Sequence, residues 1–321
     1  MAKSTWEVAE PEKLTFDDPL KALNVRIVNG TVNVVGTDEA ALTEQGGARL
    51  EISHIEGPPL VVTLDDGTLT VAYEDLPWKG FLKWLDRQLD RKGSHRSAVV
   101  SLAVPAGTAV EVGVVGAGAV VSGLRGRTDV CGVTGDTTLV GVSGTVHADT
   151  VSGSVEAQAV TGDLHFKSVS GDLTVVEGAG SSVRADSVTG DMVVDLEPTD
   201  RPMDIQLATV SGQIAIRLPH PTDARVEANT ASGSVSNAFD DLRVSGQWGA
   251  KRITGTLGAG TGTLKASTVS GAIALLRRPP SEDAPYERVP AGAAHADTAG
   301  TGTAGTGTAQ AGATATDTKE L

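Results

Sequence analysis

Between residues 127 and 171 the apolar and polar positions repeat every nine residues without a gap. The five units read RTDVCGVTG, DTTLVGVSG, TVHADTVSG, SVEAQAVTG and DLHFKSVSG, closing at Gly135, Gly144, Gly153, Gly162 and Gly171. Longer units then close at Gly190, Gly212, Gly233 and Gly271. Within a unit the second, fourth and seventh positions are apolar, as in Val155, Ala157 and Val160, or Leu164, Phe166 and Val169. Side chains alternate along a strand, so positions two and four share a face. The step from four to seven breaks the alternation and requires a corner. All three positions are expected to face an interior. The closing glycine supplies a second bend, through positive φ or a close backbone approach, and the Ser or Thr before it can bond within its own turn. Two units make a coil of about eighteen residues, a plausible rung of a β-solenoid.

The phrase recurs earlier, in Gly30-Thr-Val32-Asn-Val34 and Gly67-Thr-Leu69-Thr-Val71, and later in Gly262-Thr-Leu264-Lys-Ala266. Asn29-Gly30 reads either as a first rung or as a type I′ hairpin turn. The expected architecture is all-β: a single parallel β-solenoid (β-helix) over 20–278, after an N-terminal extension over 1–19. One amphipathic helix is inserted at about 77–93, and a low-complexity tail over 279–321 is expected to be disordered.

The insertion reads LPWKGFLKWLDRQLDRKGSHR over 76–96. Trp78, Phe81, Leu82, Leu85 and Leu89 fall at helical spacing, with Trp84 at the edge. Six basic and two acidic residues between 79 and 96 give a local net charge of +4 in a chain of −14. A basic amphipathic helix with Trp can lie on an anionic membrane or dock in a partner's groove, through Trp78, Phe81, Lys83, Trp84, Arg87 and Arg91. It can equally cover an open edge of the solenoid.

Aromatic residues are 3% of the chain and glycines number 39, which suits a thin coil filled with Val, Ala and Leu. The negative net charge argues against nucleic-acid binding. Cys131 is the single cysteine and has no internal disulfide partner. The N-terminal segment holds no apolar run of the length a secretory signal needs, and no window approaches 18 apolar residues, so a cytoplasmic protein is expected.

The phrases Ser168-Val-Ser-Gly-Asp-Leu173 and Ser187-Val-Thr-Gly-Asp-Met192, with the opening Val25 to Val34, resemble the bacterial β-strand-repeat family catalogued as "putative adhesin". That resemblance covers residues 20–278 and implies a repetitive β domain of unknown function.

No catalytic constellation emerges. His54, His95, His147, His165, His220 and His295 are scattered singly, without zinc-site spacing. Gly141-Val-Ser143-Gly144 lacks the strand–turn–helix context of a nucleophile elbow. Asp136, Asp163, Asp172 and Asp191 follow repeat glycines, but one Gly per unit does not make a calcium-binding β-roll. The regular units are short and nearly free of the aromatic platforms a polysaccharide lyase uses. No cofactor and no metal are expected. The sequence therefore points to a non-enzymatic scaffold or interaction module with an unknown protein partner. The alternatives are a peripheral membrane module acting through the Trp-containing helix, a self-associating fibre subunit, and an exported adhesin.

Overall fold

The computed structural model describes residues 3–38, 47–74 and 96–279. These residues are built from β-strands arranged in two long sheets. Sheet I runs in spatial order β1 (Ser4–Val8), β6 (Leu60–Asp65), β7 (Thr68–Tyr73), β3 (Ala22–Ile27), β9 (Ala109–Val114), β11 (Thr128–Cys131) and β13 (Val146–Asp149). It continues through β15 (Leu164–Lys167), β17 (Ser182–Asp186), β19 (Asp204–Ala208), β25 (Gly262–Thr268), β21 (Ala224–Thr230), β24 (Ala250–Leu257) and β23 (Leu242–Gln247). Sheet II runs β2 (Glu12–Phe16), β5 (Ala48–Glu56), β8 (Ser97–Pro105), β4 (Asn29–Thr37), β10 (Gly118–Ser122) and β12 (Thr137–Val140). It ends with β14 (Val155–Gln158), β16 (Leu173–Gly178), β18 (Met192–Leu196), β20 (Ile214–Leu218), β26 (Ile273–Arg277) and β22 (Val235–Asn237).

In the middle the chain alternates between the sheets, one strand to each nine-residue unit. Parallel partners lie eighteen residues apart, Thr128 beside Val146 and Val146 beside Leu164. This is the solenoid-like rung that the period requires. The stack is not parallel throughout, however. Antiparallel pairs close both sheets at one end, β1 with β6, β2 with β5, β5 with β8 and β6 with β7, and sheet I at the other, β21 with β24 and β23 with β24, where sheet II ends in the parallel strand β22. Residues 4–16, within the segment read as an extension, therefore supply two strands. Such ends protect a parallel stack, whose last rung would otherwise present open backbone groups.

Coil order also departs from chain order. β3 lies between β7 and β9, and β4 between β8 and β10. At the other end β25 lies between β19 and β21, and β26 between β20 and β22. Gly30 belongs to a rung, because β3 and β4 stand in different sheets. Gly67 instead sits in the two-residue turn between β6 and β7, beside Asp66, both at positive φ.

The interior between the sheets is a continuous strip of Val, Leu, Ile and Ala. Phe166 is among the largest fully buried side chains, and its partners in the rungs on either side are Ala148 and Ala185. One large ring per several rungs, relieved by small neighbours, keeps the sheet spacing constant. That requirement accounts for the low aromatic content. The helix expected at 77–93 and the tail lie outside the described residues.

Candidate binding surfaces

The two corners of each rung differ, although both carry Val-Ser-Gly-like phrases. At the corner leading from sheet I to sheet II the sequence is Ser/Thr-Val-Ser/Thr-Gly. The first hydroxyl accepts the glycine N–H: Thr150 from Gly153 at 3.1 Å, Ser168 from Gly171 at 2.6 Å, Ser187 from Gly190 at 3.0 Å and Thr209 from Gly212 at 3.2 Å. The third residue donates its hydroxyl to the valine carbonyl of the preceding rung, as Ser152 does to Val133 at 3.1 Å and Ser170 to Val151 at 3.3 Å. The glycine is needed for approach. A Cβ on Gly153 would stand 2.1 Å from the Gly135 carbonyl oxygen, and one on Gly190 2.0 Å from that of Gly171. None of the nine closing glycines has positive φ.

This turn directs its valine outward. Val151, Val169, Val188, Val210 and Val269 are 37% to 52% exposed and form a ridge along one corner of the stack. The inward placement expected for Val169 is thus corrected: the two hydroxyl bonds fix the turn with its middle side chain in solvent.

The return corner works differently. Gly123, Gly141, Ala159 and Glu177 adopt left-handed φ. The residue after each of the first three, Leu124, Val142 or Val160, is buried. A left-handed residue reverses the pleat by one position, so the seventh side chain swings inward here.

The outer faces differ too. Sheet I carries a charged row: Glu111, Asp129, His147, His165, Arg184, Gln206, Lys265 and Glu227 stand in register on successive strands. The eighteen-residue period brings together two histidines that the linear sequence keeps apart. The His147 and His165 rings stack with centroids 4.9 Å apart, and His147 Nδ1 lies 3.3 Å from Asp129 Oδ1. Desolvation, followed by the charges of His147 and Arg184, lowers the His165 pKa. Among the described residues no group of three or more His, Cys, Asp or Glu is placed to hold a metal ion. The turn aspartates serve the backbone: Asp136 accepts the Ser154 N–H, Asp172 that of Asp191, and Asp191 that of Gln213. Cys131 is half-buried, and burial, with Asp149 next, pushes its thiol up to about 11.

Sheet II presents few charges. From β4 to β26 its outward side chains include Asn33, Val35, Val120, Ser122, Thr138, Val140, Gln158, Thr174, Val176, Val193, Ala215, Ala274 and Leu276. The exposed charges on these strands are Glu156, Glu177, Arg217 and Arg277. Asp195 is buried and neutralised by Arg217 and Arg278, the latter also bonded to Glu197 at 2.5 Å.

Residues 177–276 match the family Toastrack DUF4097. The match bears out the resemblance to an adhesin-like family of unknown function that the repeat phrases carry, and Ser187–Met192 lies inside it. The matched segment begins before β17 and takes in the exchanged strands β21 to β25 and the Asp195 cluster as far as Arg217. The most regular units, 127–171, precede it yet share its turn chemistry. A solved structure described as a putative cell adhesion protein from Clostridium sporogenes aligns over 84% of this chain and 100% of that chain, at 11% identity and a TM-score of 0.25. So loose an overlap supports no conclusion about shape or role. No curated protein matches the chain.

Of the residues singled out from sequence, Trp78, Phe81, Lys83, Trp84, Arg87 and Arg91 lie outside the described residues. The closing glycines sit at the rung corners, packed against the carbonyls of the neighbouring rung. Sequence reasoning missed the hairpin of β23 and β24, whose tip is Trp248, fully exposed, followed by Gly249. The signal was a lone Trp-Gly pair between polar strands. Beside it an open concavity of about 650 Å³ is lined by Asn229, Ser245, Gln247, Lys251, Arg252 and Ser267, among others.

Proposed function

We propose that this chain is a non-enzymatic scaffold that holds a protein partner on the outer face of sheet II. The contrast between the two faces carries the reading. Sheet I bears a solvated row of mixed charge, whereas sheet II offers a broad surface of Val, Thr, Ser and Ala that costs little to desolvate. Val35, Val120, Val193 and Leu276 are exposed on it. Partly apolar, charge-poor patches on a rigid support are the usual core of a protein interface. The turn hydroxyls support a role without chemistry. Ser152, Ser168 and Ser170 spend their oxygens on backbone bonds, and the Cys131 thiol is held protonated at neutral pH.

The test is site-specific photo-cross-linking in cells of origin. A photoreactive residue at Val120 or Val193 should capture one discrete protein, and the same residue at Asp129 or Lys265 should not. Glu at Val120 and Val193 together should abolish capture without lowering Tm. Equal capture from both faces, or none from sheet II, would refute the proposal.

A further inference from the structure

The hairpin of β23 and β24 spends conformational energy to present one side chain. Gln247 pairs with Ala250, so Trp248 and Gly249 form a two-residue turn with φ of 54° and 92°. Asn, Asp or Gly is the usual first residue of such a turn. An L-residue with a Cβ costs about 1 kcal/mol or more in this region. The sequence nevertheless places a Trp there, and at 101% exposure its ring gains nothing from packing. Val244, near the tip, is 53% exposed. From 242 to 257 the charged residues are Arg243, Lys251 and Arg252, with no acid. Among the described residues Arg243 and Lys251 have no ion-pair partner; Arg252 donates to Asn229 Oδ1 at 2.6 Å and lies 3.9 Å from Glu227. Asp240 and Asp241 stand at the base of the hairpin, the end away from Trp248. Ile253 and Leu257 are buried and root the hairpin in the sheet.

We propose that this hairpin is a membrane-seating element, with Trp248 entering the headgroup layer of an anionic phospholipid surface and Arg243, Lys251 and Arg252 meeting its phosphates. A Trp ring is amphipathic and favours that depth. Each cation near such a surface contributes about 1 kcal/mol, roughly fivefold in affinity. A lipid surface suits the shape better than an acidic protein would. A specific protein interface takes about 800 Å² from each side, whereas the tip offers one ring and a narrow strand edge. The net charge of −14 does not prevent this, because solvent ions screen charges beyond about 8 Å and the tip meets the surface first.

The experiment is co-sedimentation of the full chain with vesicles of phosphatidylcholine alone or mixed with phosphatidylglycerol. The chain should bind the mixed vesicles, be released by salt, and show a blue shift of Trp emission on binding. Trp248→Ser should weaken binding about tenfold, as loss of one buried aromatic side chain would. Arg243→Ala with Lys251→Ala should weaken it about 25-fold. Neither variant should change Tm. Absence of binding, equal binding to neutral vesicles, or wild-type affinity in both variants would overturn the proposal. Complete loss of binding in Trp78→Ser with Trp84→Ser would overturn it too, since the contact would then be the 77–93 segment. Glu at Val120 and Val193 should leave vesicle binding intact, so this inference and the sheet II reading fail independently.

Discussion

At the scale of single residues, the same Val-Ser/Thr-Gly phrase serves two geometries, and the residue before the valine chooses between them. Ser or Thr in that position accepts the glycine N–H and leaves the valine outside, as at Val169. A left-handed residue there turns the valine in, as Ala159 does for Val160. Val160→Asp should therefore lose roughly 3–5 kcal/mol of stability by burying an unpaired charge. Val169→Asp should stay within about 0.5 kcal/mol, as surface substitutions do; urea midpoints would separate the two. The glycine and the left-handed position behave oppositely. Gly171→Ala should cost several kcal/mol, because its Cβ would lie 2.1 Å from the Gly153 carbonyl oxygen and the parallel ladder cannot widen locally. Ala159→Gly should be neutral or stabilising by up to about 1 kcal/mol, since it relieves a strained φ. A denaturation midpoint that fell on Ala159→Gly would show the left-handed turn to be misassigned.

At the scale of strands and rows, register converts a period in sequence into ladders of like side chains in space. Desolvation of His165, and after it the neighbouring His147 and Arg184, makes its protonated form less favourable in the folded chain than in the unfolded one. The unfolded state therefore takes up the proton first, and stability should fall as pH drops below about 6.5. Urea unfolding at neutral and mildly acidic pH should show this slope, and His165→Gln should flatten it. Asp195, buried between Arg217 and Arg278, is the opposite case of a ladder that must remain paired. Asp195→Ala would leave exposed Arg217 without its carboxylate and Arg278 with Glu197 alone, and should cost about 1–3 kcal/mol, read as a fall in Tm.

At the scale of the whole molecule, the repeat made much of the fold legible, and departures from the repeat hid the rest. Nine-residue spacing with alternating apolar positions implied two strands per rung, and Phe166 with its Ala neighbours follows from it. The antiparallel ends lack the nine-residue period. β1 and β2 read as an extension because five-residue strands without a glycine phrase leave no periodic mark. The candidate surfaces were the least visible. A charge-poor face emerges only when strand register gathers Val35, Val120 and Val193 onto one side of sheet II, and Trp248 stands out only once it is known to be fully exposed. His147 and His165 became a pair for the same reason, through register and not through proximity in the chain.

The exchange of strands near the two ends has a consequence for how the chain is made. A ribosome releases β21 and β22 before β25 and β26, yet the later pair occupies the place beside β19 and β20. The growing stack must hold that berth open, or surrender it, until the final strands emerge. Likewise β3 and β4, among the first to appear, become interior only after β7 and β8 and then β9 and β10 have arrived on either side. Order of manufacture and order of assembly thus diverge at both ends, and a chain shortened by its last strands would lose an inner layer of the stack, not its outermost one.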